Sequence, residues 1–318
     1  MGMLVNQNGI GLEQLNKKII KMKLLIVIFV MGLLPVTSYA DLPLTVEDLL
    51  TAERRWRVDL NLTYSNSDQE NVDSRYGVIP VGENQFVSIP LSVSSARQNM
   101  DILATTAGIR YGLTLDTELY GRLTGIAEYS RRISVDGSTR NTNTRPSDFW
   151  FGVNHRFSKD NKTPALLGFF ELALAENVDR KDQEFVFAKS TLVGLTTYRA
   201  IDPLVLSLSM GYSYSRTRDV GSNTENPGDF LFINPSVGFA VNNLVTLTTG
   251  GRWQARQRDE FNGKAWGIRT TSTNMEFSLG YAWSKKTTVQ VSSRFNVSGR
   301  PNASTTLNII YKLSQKHL

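Results

Sequence analysis

From residue 55 onward, apolar and polar residues alternate with a period of two, over segments of roughly 9 to 15 residues. The clearest segment places Leu204, Leu206, Leu208, Met210, Tyr212 and Tyr214 between Val205, Ser207, Ser209, Gly211, Ser213 and Ser215. Each segment is bounded by Gly, Pro, Asn, Asp or Lys, and helical periodicity is nearly absent. Because successive side chains of a strand point to opposite faces, this pattern predicts strands with one apolar and one polar face.

The alternating segments form an even set that we interpret as twelve strands. They lie near residues 55–65, 101–113, 117–131, 148–158, 165–176, 187–199, 203–216, 230–241, 244–256, 270–283, 288–298 and 303–313. Short connections such as 114–116, 159–164 and 242–243 alternate with mostly longer ones such as 66–100 and 132–147. Short turns on one side and long loops on the other are typical of bacterial outer-membrane barrels. The sequence therefore predicts an all-β, antiparallel transmembrane β-barrel over residues 55–318.

The polar face of these segments carries charges, which distinguishes a membrane barrel from a soluble one. The residues concerned are Arg57, Asp59, Arg110, Arg122, Glu128, Arg156, Glu171, Arg252, Arg256, Glu276 and Arg294. A dry core would not tolerate so many charges, since each unpaired buried charge costs several kcal/mol. We therefore predict that these residues line a wet pore and that the apolar face contacts lipid, with seven cations against four anions giving a modest anion preference.

Aromatic residues of the apolar face fall at both ends of the predicted strands. Trp56, Tyr111, Phe157, Tyr198, Tyr281, Trp283 and Tyr311 fall near the periplasmic ends, and Tyr64, Tyr129, Phe149, Tyr212, Tyr214 and Trp253 near the opposite ends. Aromatics scattered only as strand formers would not give two groups. Two belts are what a bilayer produces, since aromatic rings collect at its interfaces.

One segment, residues 230–251, contains no charge and is long enough to be considered as a transmembrane helix. Its interior holds Asn234, Pro235, Asn242 and Asn243, which are unfavourable in a helix that faces lipid. Asn242 and Asn243 are suitable turn residues, so we predict a hairpin here.

The first forty residues resemble a secretory signal peptide, with lysines followed by an apolar run from Leu24 to Leu34 and a cleavage site after Ala40. A membrane anchor is the weaker alternative, because the run is shorter than the roughly 20 residues that a spanning helix needs. The start codon is open between Met1 and Met22. Without this leader the net charge of +6 falls to about +3, which gives no electrostatic argument for a nucleic-acid partner.

Residues 41–54 are predicted to form a short helix, with a capping box from Thr45 to Asp48. It is either a periplasmic leader into the first strand or a plug whose Glu47, Asp48 and Glu53 meet arginines of the lumen. The connection 66–100 is unusually apolar for a surface loop. It either extends the first two strands above the membrane or folds inward to constrict the pore.

Composition and motifs give little support for an enzyme. The chain has no cysteine and two histidines, His155 and His317, and it contains no phosphate loop or dinucleotide fingerprint. His155 shares the apolar face with Phe151 and Phe157, so an interfacial aromatic is favoured over a catalytic base. The acidic cluster of Glu176, Asp179, Asp182 and Glu184 is interpreted as a solvated or divalent-ion-bridged rim that faces lipopolysaccharide. No cofactor, metal or catalytic residue is predicted.

Two resemblances bear on function. The stretch RYGLTLDTELYGR (110–122) resembles a strand-turn-strand element of outer-membrane transporters of the meta-pathway phenol-degradation type. The wider layout, with a short acidic segment before RWRVDLNLTYSNS (55–67), looks like the export channels of functional-amyloid secretion systems, although their coiled coil is missing here. The last strand, with Leu307, Ile309, Tyr311 and Leu313, is similar to the carboxy-terminal signal that the barrel-assembly machinery recognises.

These observations predict a plugged or gated channel of the bacterial outer membrane. Its partners would be outer-membrane lipid, lipopolysaccharide, the barrel-assembly machinery and a transported substrate. The functional-amyloid resemblance and the charged lumen favour export of a secreted peptide or protein. Uptake of small hydrophobic compounds, which the phenol-pathway resemblance implies, and a non-conducting structural or adhesive barrel are the alternatives.

Overall fold

The computed structural model describes residues 50–69, 74–91, 97–134, 137–179, 184–299 and 302–313. The predicted signal peptide and the plug candidates Glu47 and Asp48 lie outside the described residues, as does His317. Twelve strands form the barrel: β1 (Trp56–Gln69), β2 (Arg97–Gly112), β3 (Thr117–Ser134), β4 (Gly137–Ser158), β5 (Ala165–Asn177), β6 (Ser190–Ile201), β7 (Leu204–Ser215), β8 (Phe230–Ala240), β9 (Val245–Arg256), β10 (Thr270–Ala282), β11 (Thr287–Ser298) and β12 (Asn302–Lys312).

The barrel is closed and antiparallel throughout, because each strand pairs with the next and β12 pairs with β1. The closing register runs from Arg57 opposite Lys312 to Ser67 opposite Asn302. All twelve predicted strands are confirmed. Within the described ranges, no helix is long and apolar enough to cross a bilayer. The uncharged segment forms the predicted hairpin of β8 and β9, in which Asn242 Oδ1 accepts hydrogen bonds from the amides of Leu244 (2.8 Å) and Val245 (2.9 Å).

The two faces of each strand differ as the alternation predicts. On β1, Trp56, Leu60 and Tyr64 are exposed on the outside, while Arg57 and Asp59 are buried on the inside. An apolar exterior around a closed ring of strands is stable only in a bilayer, because backbone groups are satisfied between strands and apolar side chains meet hydrocarbon.

One residue assigned to the aromatic belts was placed wrongly. The Tyr198 side chain is only 4% exposed and packs inside the barrel with Ala165 and Leu167. The alternation of β6 accounts for this, because Tyr198 shares the parity of the buried Ser190 and Leu192 on that strand.

The connection predicted over 132–147 is mostly strand. β3 and β4 are 18 and 22 residues long and pair up to Ser134 opposite Gly137. A bilayer requires only about 9–11 residues per strand, so this hairpin projects beyond the membrane on the long-loop side. Its outer part is polar on both faces, as at Arg131, Arg132 and Arg140, which removes the alternation that would have revealed a strand.

Two further external loops pair with each other. The segments Arg218–Val220, Asn223–Asn226, Asp259–Phe261 and Lys264–Trp266 form a four-stranded antiparallel sheet, here called the external sheet. Its two halves join where Glu225 lies opposite Phe261. The external sheet lies at the mouth of the barrel from which the long loops emerge.

The first external loop enters the barrel. Residues 74–91, here called the lumen hairpin, contain two paired strands, Tyr76–Pro80 and Phe86–Pro90. Val81, Val87 and Ile89 are fully buried, and the apolar core of the protein forms between them and the inner face of the barrel. Of the two interpretations left open for this loop, inward folding is the one observed.

Candidate functional site

The lumen hairpin packs against one side of the barrel interior. Four of its side chains, Ile79, Val81, Val87 and Ile89, form a buried cluster with inward-facing residues of β2 and β3: Met100, Ile102, Ala104 and Ile126. These wall residues are apolar, so the inner face is not uniformly polar as the sequence pattern implied. Burial of this much apolar surface holds the hairpin in the lumen.

The tip of the lumen hairpin forms a second apolar cluster around Phe86. This ring belongs to one cluster with inward-facing residues of four strands, β4, β5, β6 and β8: Trp150, Phe169, Ala173, Leu192, Phe230 and Phe232. Its centroid lies 5.1 Å from both the Phe230 and the Phe232 rings. Such edge-to-face and tilted contacts add to the apolar burial. One phenylalanine therefore bridges strands from much of the barrel circumference.

Polar contacts also hold the tip. Arg122 Nη2 donates to the carbonyl oxygen of Phe86 at 3.0 Å, and Arg252 Nη2 donates to the carbonyl oxygen of Glu83. The Nδ2 of Asn84 lies 3.4 Å from Thr196 Oγ1, across the lumen from Arg122. The hairpin tip is thus bonded to β3, β6 and β9, which lie on different sides of the lumen.

The base of the lumen hairpin is held by the external sheet. Asp259 Oδ2 accepts hydrogen bonds from the Arg75 amide (2.9 Å) and the Ser74 hydroxyl (3.1 Å). Glu225 pairs with the Arg75 guanidinium and accepts the Tyr76 hydroxyl at 2.7 Å. We call these contacts the latch, because they connect the hairpin to loops that open to the outside.

At the periplasmic end, the predicted pore-lining charges form ion pairs. Arg57 Nε lies 3.2 Å from Asp59, and Arg110 contacts both Asp59 and Glu118, the latter at 2.9 Å. Thr51 donates its amide to Glu118 at 2.7 Å, which ties the amino-terminal segment to this network. Hydrogen bonds to ionised groups are stronger than neutral ones, so the network is firmly held.

Charges of the middle and upper lumen are paired in the same way. Arg122 binds Glu171 at 3.0 Å and Arg294 binds Glu276 at 2.6 Å. The remaining predicted residues are also paired: Glu128 with Arg145 at 3.5 Å, and Arg256 with Asp259 of the latch at 2.5 Å. Pairing greatly reduces the net positive field that the simple count of cations implied. The one exception among the predicted residues is Arg252, which has no ion pair within 4 Å in the described part of the chain.

Arg156 belongs to the rim rather than to the lumen. Its guanidinium contacts Asp116 at 2.7 Å and the Leu115 carbonyl oxygen at 2.9 Å, both in the periplasmic turn after β2. The hydrogen bond from Arg156 lowers the pKa of Asp116. Its contacts therefore hold a periplasmic turn.

The predicted helix over 41–54 does not extend over residues 50–54, and residues 41–49 lie outside the described residues. Residues 50–55 instead cross the periplasmic mouth, with Glu53 bridging to Gly112 and the Arg54 amide donating to the Gly112 carbonyl oxygen at 2.7 Å. A Cβ on Gly112 would lie 2.1 Å from the Ala52 carbonyl oxygen, so only glycine permits this crossing. Glu53 pairs with its neighbour Arg54 at 3.7 Å rather than with a lumen arginine.

Several functional residues escaped the sequence reasoning. Glu118 and Asp148 line the lumen, and Glu176, assigned to a solvated rim, is buried and pairs with Arg218 at 3.2 Å. Glu118 shares the parity of Arg122 on β3, so the alternation contained that signal. The pairing of Glu176 with Arg218 of an external loop had no signal in the sequence. No cluster of three or more metal-ligating side chains occurs in the described part of the chain.

The wall opposite the lumen hairpin is different. Many inward-facing residues of β10, β11 and β12 are polar and partly exposed: Asn274, Glu276, Thr288, Gln290, Ser292, Arg294, Asn296, Ser304, Thr306 and Asn308. Their outward neighbours, such as Phe277 and Val291, are exposed to the bilayer side. We call β10–β12 the open wall and β2–β8 the filled wall. Water reaches the open wall inside the barrel.

Comparison with solved structures gives barrels of the same type. The chain is similar to an outer membrane channel from Pseudomonas putida F1, with a TM-score of 0.59 and 12% identity over 83% of this chain and 98% of that one. It is also similar to the translocator domain of the autotransporter NalP from Neisseria meningitidis, with a TM-score of 0.50 and 10% identity over 81% and 88% of the chains. The Pseudomonas putida toluene transporter TodX matches with a TM-score of 0.39 and 10% identity over 85% and 91%.

No family model matches the sequence, and no curated protein matches it. The likenesses to the channel and to the translocator domain show the fold, which is that of outer-membrane β-barrels. Together with the apolar exterior and the closed strand order, they place the protein in the bacterial outer membrane.

Proposed function

We propose that the protein is a gated outer-membrane channel in which the lumen hairpin is the plug. The observation that carries this proposal is the hairpin itself, which fills one side of the lumen with side chains from Ile79 to Ile89 while the open wall stays wet. A barrel built only as a scaffold would need no water-accessible wall. Movement of the hairpin toward the outside would widen the path along that wall.

The plug proposed here differs from the one predicted from the sequence. The amino-terminal segment 50–55 lies across the periplasmic mouth, but the buried contacts across the lumen belong to residues 74–91. Because the latch joins the hairpin to external loops, a signal from outside the cell can reach it directly. Gating from the external side is therefore the mechanism that this arrangement supports.

Inward passage of small compounds is the direction we propose. Export of a peptide or protein was favoured by the charged lumen, but the charges are mostly paired and part of the inner wall is apolar around Phe86. An apolar lining suits small compounds with hydrophobic groups. Export stays a prediction from the sequence. We propose lipopolysaccharide and the assembly machinery as partners, and transport without a chemical step.

Conductance of the refolded protein in planar bilayers tests the plug. Replacing residues 74–91 by a short Gly-Ser linker should produce large, stable current steps that the full chain lacks. The same linker in place of residues 132–141, at the projecting tip of β3 and β4, is the matched control and should leave conductance unchanged. Removal of residues 41–54 should have the smaller effect of the two deletions.

A silent barrel after hairpin replacement, with its β circular dichroism intact, would contradict the channel and favour a structural or adhesive role. Current steps that arise only on removal of residues 41–54 would return the plug to the amino-terminal segment. Proteoliposomes carrying the hairpin replacement then compare entry of small aromatic solutes with passage of a peptide. Preferential passage of the peptide would support export.

A further inference from the structure

Arg252 is a buried cation without a carboxylate partner. Its side chain is about 1% exposed, and no carboxylate oxygen lies within 4 Å of its guanidinium among the residues that the structure describes. The carboxylates of Glu83, in the hairpin tip, and Glu276, which pairs with Arg294, face it from farther away. Nη2 donates to the Glu83 carbonyl oxygen and, with the Asn234 amide oriented to satisfy both of its own groups, to Asn234 Oδ1 at 3.2 Å. Nε and Nη1 have no hydrogen-bond partner. A buried guanidinium with neutral acceptors and two vacant donors is a site for an anion.

The neighbouring lumen arginines show that this arrangement is unusual. Arg122 has Glu171 at 3.0 Å, and Arg294 has Glu276 at 2.6 Å. Arg252 faces aromatic rings instead: its Cζ lies 4.9 Å from the centroid of Phe86 and 5.5 Å from that of Phe232. Cation–π contacts offset part of the missing charge, but they leave the in-plane N–H groups open.

Phe86 occupies a slot with aromatic walls and guanidinium groups at its edge. The rings of Phe230 and Phe232 lie 5.1 Å away at interplanar angles of 70° and 54°. Trp150 and Phe169 belong to the same cluster, and Arg122 lies 4.8 Å above the Trp150 ring. The slot therefore combines apolar walls for a planar ring with positive charge within reach of that ring.

The hairpin fills this slot with the phenyl ring of Phe86, and the carbonyl group of the same residue is hydrogen-bonded nearby. The Phe86 ring is bonded through Cβ and Cα to a carbonyl carbon whose oxygen accepts a hydrogen bond from Arg122 Nη2 at 3.0 Å. A phenyl ring joined by two carbons to a carbonyl carbon is also the skeleton of a 3-arylpropanoate. The free acid would supply a carboxylate, for which Arg252 has two vacant donors.

We propose that the Phe86 slot is a binding site for arylalkanoates, with the ring in the place of Phe86 and the carboxylate at the vacant N–H groups of Arg252. This rests on the proposed function, because the hairpin tip must leave for the ligand to enter. When the tip leaves, the Glu83 carbonyl oxygen leaves with it, and Arg252 gains a further free donor. Ligand and tip exclude one another, so the ligand stabilises the undocked hairpin and opens the path that the hairpin closes.

Binding is measured with tritiated 3-phenylpropanoate on the refolded full chain in detergent micelles, by equilibrium dialysis. Phe86→Ala removes the internal competitor and should tighten binding on the order of tenfold, the factor that about 1.4 kcal/mol gives. Arg252→Gln should weaken it by at least that factor. Phe170→Ala, on the lipid side, and Arg199→Gln, at the periplasmic end, are the matched controls and should bind like the unaltered chain.

Competition with unlabelled analogues tests whether binding in the slot requires both the ring and the carboxylate. 3-Phenylpropan-1-ol, which lacks the charge, and propanoate, which lacks the ring, should each compete at least tenfold less well than 3-phenylpropanoate. Equal competition by the alcohol, or binding unchanged by Arg252→Gln, would overturn the proposal. Heat-modifiable migration in electrophoresis verifies that each variant has folded. Arg252→Lys keeps the charge without the planar fork, and it should retain part of the affinity if Arg252→Gln does not fold.

This experiment separates the two proposals, because binding in micelles requires no conduction. A barrel that binds the acid but stays silent after replacement of residues 74–91 would refute the channel and leave the site. A barrel that conducts after that replacement but binds no 3-phenylpropanoate, even with Phe86→Ala, would refute the site and leave the channel.

Discussion

The filled wall and the open wall are built from strands of the same period, yet they have opposite interiors. On the filled wall, Ala104, Ile126 and Phe232 are buried beneath the lumen hairpin. On the open wall, the corresponding inward positions are occupied by residues such as Ser292 and Thr306, which stay partly exposed. Because the hairpin covers only one side, one barrel contains a dry core and a wet path side by side. The buried apolar contacts and the solvent-accessible polar surface therefore lie on different strands.

The largest difference between the two walls should appear in stability. Arg122→Ala leaves Glu171 buried without its cation and should lower the free energy of unfolding by about 3–5 kcal/mol. Arg294→Ala on the open wall should cost only roughly 1–2 kcal/mol, because lumen water hydrates the Glu276 left behind. Unfolding in urea, followed by tryptophan fluorescence, measures both. Equal losses would mean that the two walls are equally dry.

Accessibility of introduced cysteines tests the same contrast, and the chain contains no cysteine of its own. Ser292→Cys on the open wall should react with a water-soluble methanethiosulfonate on the order of 100-fold faster than Thr124→Cys, since a buried thiol reacts only after local opening. Replacing residues 74–91 by the Gly-Ser linker should make Thr124→Cys react faster and so lower the ratio of the two rates. A ratio near one in the full chain would show that the hairpin does not shield its wall.

The latch should control how often the filled wall is uncovered. Asp259→Asn weakens the charged acceptor that the Ser74 hydroxyl and the Arg75 amide share, at a cost of about 1–2 kcal/mol to hairpin docking. Open probability in planar bilayers should therefore rise roughly tenfold. Asp219→Asn, exposed in the same external sheet, is the control and should leave gating unaltered. If Asp259→Asn and Asp219→Asn had the same open probability, the latch would have no influence on gating.

The smallest effect concerns ion selectivity along the open wall. With the hairpin replaced, Arg294→Ser removes a cation from this wall and leaves Glu276, so cation permeability should rise on the order of twofold relative to anion permeability. Reversal potentials in a salt gradient measure this shift. Arg199→Ser, at the periplasmic end outside the lumen, is the control and should produce none. An unchanged reversal potential in Arg294→Ser would place the ion path away from the open wall.

Much of the fold could be predicted because its determinants are local. Alternation along each strand located all twelve barrel strands, and Asn242 and Asn243 identified the hairpin in the uncharged segment. The outer part of β3 and β4 was missed because it leaves the bilayer and is polar on both faces. Tyr198 was assigned to the wrong face although its strand parity was available.

The candidate site was only partly predictable. Ten of the eleven predicted pore residues face the lumen or its upper mouth, since the side of a strand on which a residue lies follows from its position in the alternation. Their partners did not follow, because Arg122 with Glu171 and Arg218 with Glu176 join residues far apart in the chain. Pairing turned an expected field of cations into a nearly balanced interior with Arg252 as its exception.

The sequence by itself determined the strands, their lipid-facing sides and the membrane that the protein requires, because these depend on the order of neighbouring residues and on the solvent outside. Only the tertiary structure decided where residues 74–91 go. The apolar residues of that loop indicated a need for burial, but their partners, such as Ile126 and Phe232, come together only when the barrel closes. The docked lumen hairpin, the latch and the slot of Phe86 therefore arise from contacts between distant segments that no local pattern records.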